Sequence, residues 1–128
     1  MKRRVAFSET DMAGIVHFSV FFRWMEDAEH EWLRARGLSV STVWEGEEVS
    51  FPRVAATCDY LKPARFEDEV DIEAQVERIG TKSIRWAFDV KRGGELLARG
   101  SITAVMCKVG ERKMEPMAIP EALREKLK

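Results

Sequence analysis

After Pro52 the apolar and polar positions of the chain alternate, and the alternation mostly persists through Val109. Its clearest stretch sets Val70, Ile72, Ala74 and Val76 against Asp71, Glu73, Gln75 and Glu77. One face is apolar and the other wet, the period of a half-buried strand. Ile84, Trp86, Phe88 and Val90 repeat the pattern; Gly93-Gly94 then supplies a tight hairpin turn leading into Glu95 to Val109. The gaps between these runs are too short for crossover helices, so the sheet is predicted to be antiparallel. Pro63 breaks a strand that ends near Leu61. Upstream the period changes. Phe21, Met25, Ala28, Trp32 and Ala35 recur at steps of four and three, predicting a helix from an N-cap at Ser19 to Arg36, stopped by Gly37. Charged residues take its opposite side, with Arg23 and Asp27 spaced for a weak surface pair. Arg3 to Phe7 reads as a short strand, and Pro120 opens a terminal helix containing Ala122, Leu123 and Leu127. The predicted order is strand, long helix, four long antiparallel strands and a helical tail, an α+β domain.

A chain of 128 residues accommodates one sizeable core, so residues 1–128 are read as one domain. Hydrophobic residues make up 45% and charged residues 34%, which excludes a disordered chain. The net charge of -1, with both signs interspersed, excludes the basic field that drives nucleic-acid binding. No apolar run is long enough to cross a bilayer, and Met-Lys-Arg-Arg is not followed by a long apolar segment, so a cytoplasmic location away from membranes is expected. Cys58 and Cys107 have neither metal-knuckle spacing nor disulfide-scaffold density; they read as reduced core residues, with no metal and no cofactor expected.

The segment Phe7 to Ala28 carries the candidate chemistry. It places a carboxylate, Asp11, just before a turn containing Gly14 and the start of the long helix. Backbone N–H groups in a first helical turn lack intrahelical partners and can bind a developing negative charge. A carboxylate beside such a donor is sufficient for thioester hydrolysis, because a thiol with a pKa of roughly 8.5, if cysteine is a guide, departs as thiolate without a general acid.

These residues resemble the 4-hydroxybenzoyl-CoA thioesterase family of hotdog-fold proteins. The likeness lies in Thr10-Asp11, Ala13-Gly14-Ile15-Val16, Phe18, Phe21, Arg23-Trp24 and the acids before Ala28; it continues through Asp59-Tyr60-Leu61-Lys62-Pro63-Ala64-Arg65, Asp68 and Lys82-Ser83. The resemblance implies a single hotdog fold, a long central helix wrapped by a five-stranded antiparallel sheet, and hydrolysis of an acyl-CoA to free acid and CoA. It implies that Asp11 is the catalytic carboxylate and that the Phe18 backbone N–H polarises the thioester carbonyl. Gly14 and His17 fall on the substrate side, and Lys82 and Ser83 match a segment that meets the CoA nucleotide or pantetheine. It further implies a homodimer, often paired into a homotetramer, joined edge to edge. Departures stand at Glu9, where the family often has aspartate, at Phe21, where it often has tyrosine, and at Gly80-Thr81, where some members carry more basic residues.

The remaining chemical residues have plainer readings. His17 suits a pocket rim, although the mechanism needs no imidazole; His30 reads as an ordinary helix residue, and Glu26 and Asp27 as a solvated face. Some hotdog thioesterases use a glutamate on the helix, which keeps Glu26 as an alternative catalytic group. An enoyl-CoA hydratase or dehydratase pairing Asp11 with His17, and a non-catalytic acyl-CoA-binding module, are the other readings.

Overall fold

The computed structural model describes residues 1–128. In chain order the elements are β1 (Lys2–Arg4), a 3-10 turn (Phe7–Glu9), α1 (Val20–Arg34), β2 (Ser41–Trp44), β3 (Glu47–Ser50), β4 (Arg53–Tyr60), β5 (Glu69–Ile79), β6 (Ser83–Arg92), β7 (Glu95–Val105), β8 (Cys107–Val109), β9 (Met114–Pro116) and α2 (Glu121–Leu127). A five-stranded antiparallel sheet in the order β1-β5-β6-β7-β4 wraps around α1. This is the hotdog arrangement expected from the sequence.

The alternating residues do what their period dictates. Ile72, Trp86, Phe88, Val90, Ala98, Ile102 and Ala104 turn inward and are buried, as are Phe21, Trp24, Met25, Ala28 and Leu33 on the facing side of α1. Burying each of the larger side chains contributes about 1.5–3 kcal/mol. Trp32 lies edge-on to Trp86, with ring centroids 5.1 Å apart, while Ala35 falls beyond the helix and is exposed. The helix approaches the sheet closely at Gly100. A Cβ there would overlap the Met25 Cε and stand 2.8 Å from the Thr57 carbonyl oxygen, which belongs to a paired strand and cannot yield cheaply. Gly100→Ala is expected to cost about 1–3 kcal/mol, read as a lowered urea midpoint with an unchanged slope.

Four further features differ from the sequence expectation. The first strand covers Lys2–Arg4 rather than Arg3 to Phe7, because the Glu9 carboxylate accepts the Ala6 N–H at 2.8 Å and draws the chain into the 3-10 turn. Residues 41–50 form a hairpin whose turn residues, Glu45 and Gly46, both have positive φ (51° and 82°), the conformation that suits a two-residue connection. The run predicted from Glu95 to Val109 divides at Met106, whose N–H leaves the ladder for the Lys82 carbonyl; β8 then joins a second, four-stranded sheet, β2-β3-β8-β9. Finally, the helix buries a charge. Glu29 is 1% exposed and receives the Arg53 guanidinium of β4 on both carboxylate oxygens, with Nη1 to Oε2 at 2.9 Å. Burial still pushes the Glu29 carboxyl above the ordinary glutamate range, against the pull of Arg53.

No helix is long and apolar enough to cross a membrane.

Candidate active site

The loop between the 3-10 turn and α1 is folded back on itself. The Asp11 N–H donates to the Ile15 carbonyl at 2.8 Å, the Gly14 N–H to the Asp11 carbonyl at 3.0 Å, and Thr10 bridges Val16. Gly14 takes φ +80°, a region that residues with a Cβ rarely adopt, and this permits the reversal. The Asp11 side chain closes the same turn: Oδ1 accepts the Ala13 N–H at 2.8 Å, while Oδ2 has no partner within the chain.

Glu9 fixes the neck of this loop. Its backbone carbonyl accepts the His17 N–H at 2.9 Å, and its carboxylate receives the Arg3 guanidinium at 2.6 Å, the Trp24 indole N–H at 2.9 Å and the Ala6 N–H. Burial would raise the Glu9 carboxyl, but the bonds from Ala6, Arg3 and Trp24 outweigh it and hold the group below the ordinary glutamate range. Glu9 therefore joins β1, the loop and α1.

Asp11, Ile15, Val16, Phe18, Phe21, Tyr60, Leu61, Lys62, Pro63, Ala64 and Arg65 line an open cleft of about 500 Å³. Its wall beyond β4 is held by Asp68, which accepts the Arg65 N–H at 2.9 Å and the Arg92 guanidinium at 2.8 Å; Arg92 also reaches the Pro63 carbonyl at 3.2 Å. Burial opposes ionisation of Asp68, yet these donors keep its carboxyl below the usual range. The cleft is mostly apolar, with Asp11 its single carboxylate and Lys62 and Arg65 its cations. Lys62 is bound to Glu95 at 2.8 Å, whereas the Arg65 guanidinium makes no ion pair.

Phe18 stands at the entrance to α1. Its N–H donates to nothing within the chain, and its carbonyl accepts the Tyr60 hydroxyl at 2.8 Å. Of the residues singled out from the sequence, the structure thus brings Asp11 and Phe18 to one cleft, with Gly14 shaping the loop between them. His17 lies outside the lining; its Nδ1 meets the Ser19 hydroxyl at 2.8 Å and the Ser19 N–H at 3.3 Å. Ser19 makes no side-chain cap to α1, its hydroxyl being turned to His17. Glu26 is exposed, 3.4 Å from Arg53 and away from the cleft.

Lys82 and Ser83 occupy the β5–β6 turn at the far end of the sheet. Tyr60, at the cleft, faces Ala98, which faces Val90; Ser83 faces Val105, so the length of β6, roughly 20 Å at strand rise, separates the two groups within one chain. Arg124 of α2 fixes this turn by donating to the carbonyls of Gly80 at 2.6 Å and Thr81 at 3.0 Å. Tyr60, Arg65 and Glu9 are the site residues for which the sequence reading gave no role. Tyr60 had one signal of its own, being the chain's sole tyrosine.

A helix wrapped by this sheet, with one carboxylate in a mostly apolar cleft at the helix entrance, defines the class as a hotdog fold. The chain belongs to the thioesterase superfamily, whose family model matches residues 13–99, and it is a thioester hydrolase. It is 31% identical over 112 residues to a 1,4-dihydroxy-2-naphthoyl-CoA hydrolase of Prochlorococcus marinus (strain NATL2A), covering 82% of this chain and 72% of that protein. A crystal structure of a hypothetical protein from Aquifex aeolicus superposes with a TM-score of 0.89 at 30% identity, covering 100% of this chain and 98% of the other. The structure of a gentisyl-coenzyme A thioesterase gives 0.84 at 30% identity, covering 97% and 98%.

Proposed function

We propose that residues 1–128 form one hotdog domain that hydrolyses acyl-CoA thioesters, with Asp11 as catalytic carboxylate and the Phe18 N–H as oxyanion donor. The observation that carries this reading is the pairing of Asp11, with one free carboxylate oxygen, and the unpartnered Phe18 amide on the walls of one apolar cleft. Negative charge builds on the thioester oxygen as the carbonyl carbon is attacked, and an amide fixed beside it stabilises that charge without reorganising. Asp11 either attacks the carbon, expelling the CoA thiolate and giving a mixed anhydride that water opens, or takes the proton of a water that attacks the carbon and itself expels the thiolate. Label recovered in Asp11 after a single turnover in 18O-labelled water identifies the first route, since only water attacking the Asp11 carbonyl of the anhydride places it there.

CoA as the carrier is supported by the similarity to a 1,4-dihydroxy-2-naphthoyl-CoA hydrolase and a gentisyl-coenzyme A thioesterase. The narrower kinship with 4-hydroxybenzoyl-CoA thioesterases rests on the motif from Thr10 to Ala28. The hydratase alternative needs an imidazole facing Asp11 across the substrate, and His17 is turned to Ser19 instead.

The functional unit we propose is a dimer, or a tetramer built from dimers. β4 is an outer strand, and Val54, Ala55 and Ala56 are exposed along it, a template for another strand. Antiparallel pairing of two β4 edges about a twofold axis sets the Tyr60 end of one chain beside the Arg53 end of the other. Lys82 and Ser83 of the second chain then lie on the side of the first chain's cleft, where the CoA tail emerges. Lys82→Ala is expected to raise KM for acyl-CoA about tenfold and to leave KM for the matching acyl-pantetheine, which lacks the nucleotide, nearly unchanged.

Release of free thiol from a panel of acyl-CoA and acyl-carrier-protein thioesters tests the activity. A chain that binds acyl-CoA but releases no thiol would leave the proposal without support.

A further inference from the structure

Phe18 is held in an unusual way for a residue at a helix entrance. It precedes α1, it is 62% exposed, and its N–H is free. Within the turn the Val20 N–H donates to the His17 carbonyl at 3.0 Å and the Ser19 N–H reaches His17 Nδ1 at 3.3 Å; from the sheet, one bond holds the Phe18 carbonyl. The Tyr60 hydroxyl donates to the Phe18 carbonyl across 42 positions of sequence. Tyr60 is itself well placed to hold a fixed point: it ends β4, is paired there with Ala98, and its ring stands edge-on to the buried Phe21 at 5.2 Å between centroids. The ring and hydroxyl therefore connect the sheet to the first residues of the helix.

We propose that Tyr60 is a positioning residue for the hydrolytic reaction: its hydroxyl, by holding the Phe18 carbonyl, sets the direction of the Phe18 N–H that meets the developing oxyanion. This rests on the reading of Phe18 and Asp11 given above. A rotation of the turn by a few tens of degrees would carry that N–H off the oxyanion while leaving the cleft walls, and so ground-state binding, in place. The bond requires a protonated hydroxyl, and burial pushes the Tyr60 hydroxyl up to about 12, so it remains a donor over the whole range in which an esterase is assayed. An ionised phenolate could not donate, and would repel the carbonyl oxygen it now holds.

Tyr60→Phe keeps the ring and removes the hydroxyl. It is expected to lower kcat about tenfold, the worth of one hydrogen bond felt in the transition state, with KM within about twofold. The sole tyrosine permits a second test in a chain of unaltered shape. Biosynthetic replacement of tyrosine by tetrafluorotyrosine changes only position 60 and lowers the pH at which its hydroxyl ionises. The fluorinated enzyme is expected to lose kcat as pH rises through that ionisation, followed by absorbance, while the ordinary enzyme holds its rate over the same interval. The other charged groups lining the cleft, Asp11, Lys62 and Arg65, and the neighbouring Cys58 thiol, which burial pushes up, are common to both proteins, so the difference belongs to residue 60.

Superimposable pH profiles, an unchanged kcat in Tyr60→Phe, or a loss confined to KM would each overturn the assignment. Asp11→Asn distinguishes this from failure of the underlying reading. Full turnover without the Asp11 carboxylate removes the proposed site altogether, whereas an inactive Asp11→Asn beside a fully active Tyr60→Phe removes only the role given to Tyr60.

Discussion

Asp11→Asn is expected to lower kcat for acyl-CoA hydrolysis by about 10²–10⁴-fold, the range for a positioned carboxylate acting on a reacting group, with little change in KM. Asparagine is the informative replacement. Its side-chain oxygen can still accept the Ala13 N–H that closes the Asp11 turn, so the loop keeps its shape while the charge and the basic or nucleophilic oxygen disappear. Alanine would remove the turn as well and confound the two effects. Glu26→Gln should retain nearly full activity, because Glu26 lies on the exposed side of α1 against Arg53. Initial rates for both variants under saturating and limiting substrate decide the matter; a fully active Asp11→Asn with an inactive Glu26→Gln would reverse the assignment.

Arg53→Met should be the most damaging change outside the cleft, at about 3–5 kcal/mol near neutral pH, because it leaves a buried carboxylate without its cation. Glu29 is covered by α1 and the sheet, Arg53 is its bidentate partner, and His30 Nε2 stands 3.6 Å away. The sign of the pH dependence follows from burial. The Glu29 carboxyl is already raised above its unfolded value, and losing Arg53 raises it further. A raised acid favours the folded chain when it is protonated, so its contribution is present below the unfolded glutamate value and is lost as pH rises through the folded one. The difference in stability between wild type and Arg53→Met should therefore narrow toward pH 4 and widen toward pH 8. Urea titrations at a series of pH values measure it, and a difference that is flat or widens in acid would contradict the burial of Glu29 as a charge.

The strands β5 and β6 could be read from the sequence because one face of each is buried and the other is wet, so their side chains carry the period of the backbone. The same holds for α1 from Phe21 to Ala28. The turn at Asp11 and Gly14 was legible for a different reason: it closes on itself within a few residues, and local motifs record local geometry; the catalytic role expected of Asp11 came from the family resemblance. What escaped depends on contacts distant in sequence. Glu29 looks like any exposed acid until β4 delivers Arg53 from 24 positions away, and Tyr60 has no visible task until the sheet carries its hydroxyl to Phe18. The hairpin at residues 41–50 was hidden because its strands are only four residues each and Glu45 takes a left-handed conformation that glutamate does not advertise. The break at Met106 likewise follows from a bond to Lys82 that no run of alternating residues announces.

Because Glu9 clasps both ends of the segment that carries Asp11, through its carboxylate on one side and its carbonyl on the other, that segment behaves as a closed ring with little freedom except at its tip. The configurational entropy of arranging the acid is then lost once, as the chain folds, and no part of it is lost again in each catalytic cycle. Movements that admit substrate or discharge CoA must arise elsewhere, at the outer rim of the cleft or where two chains meet.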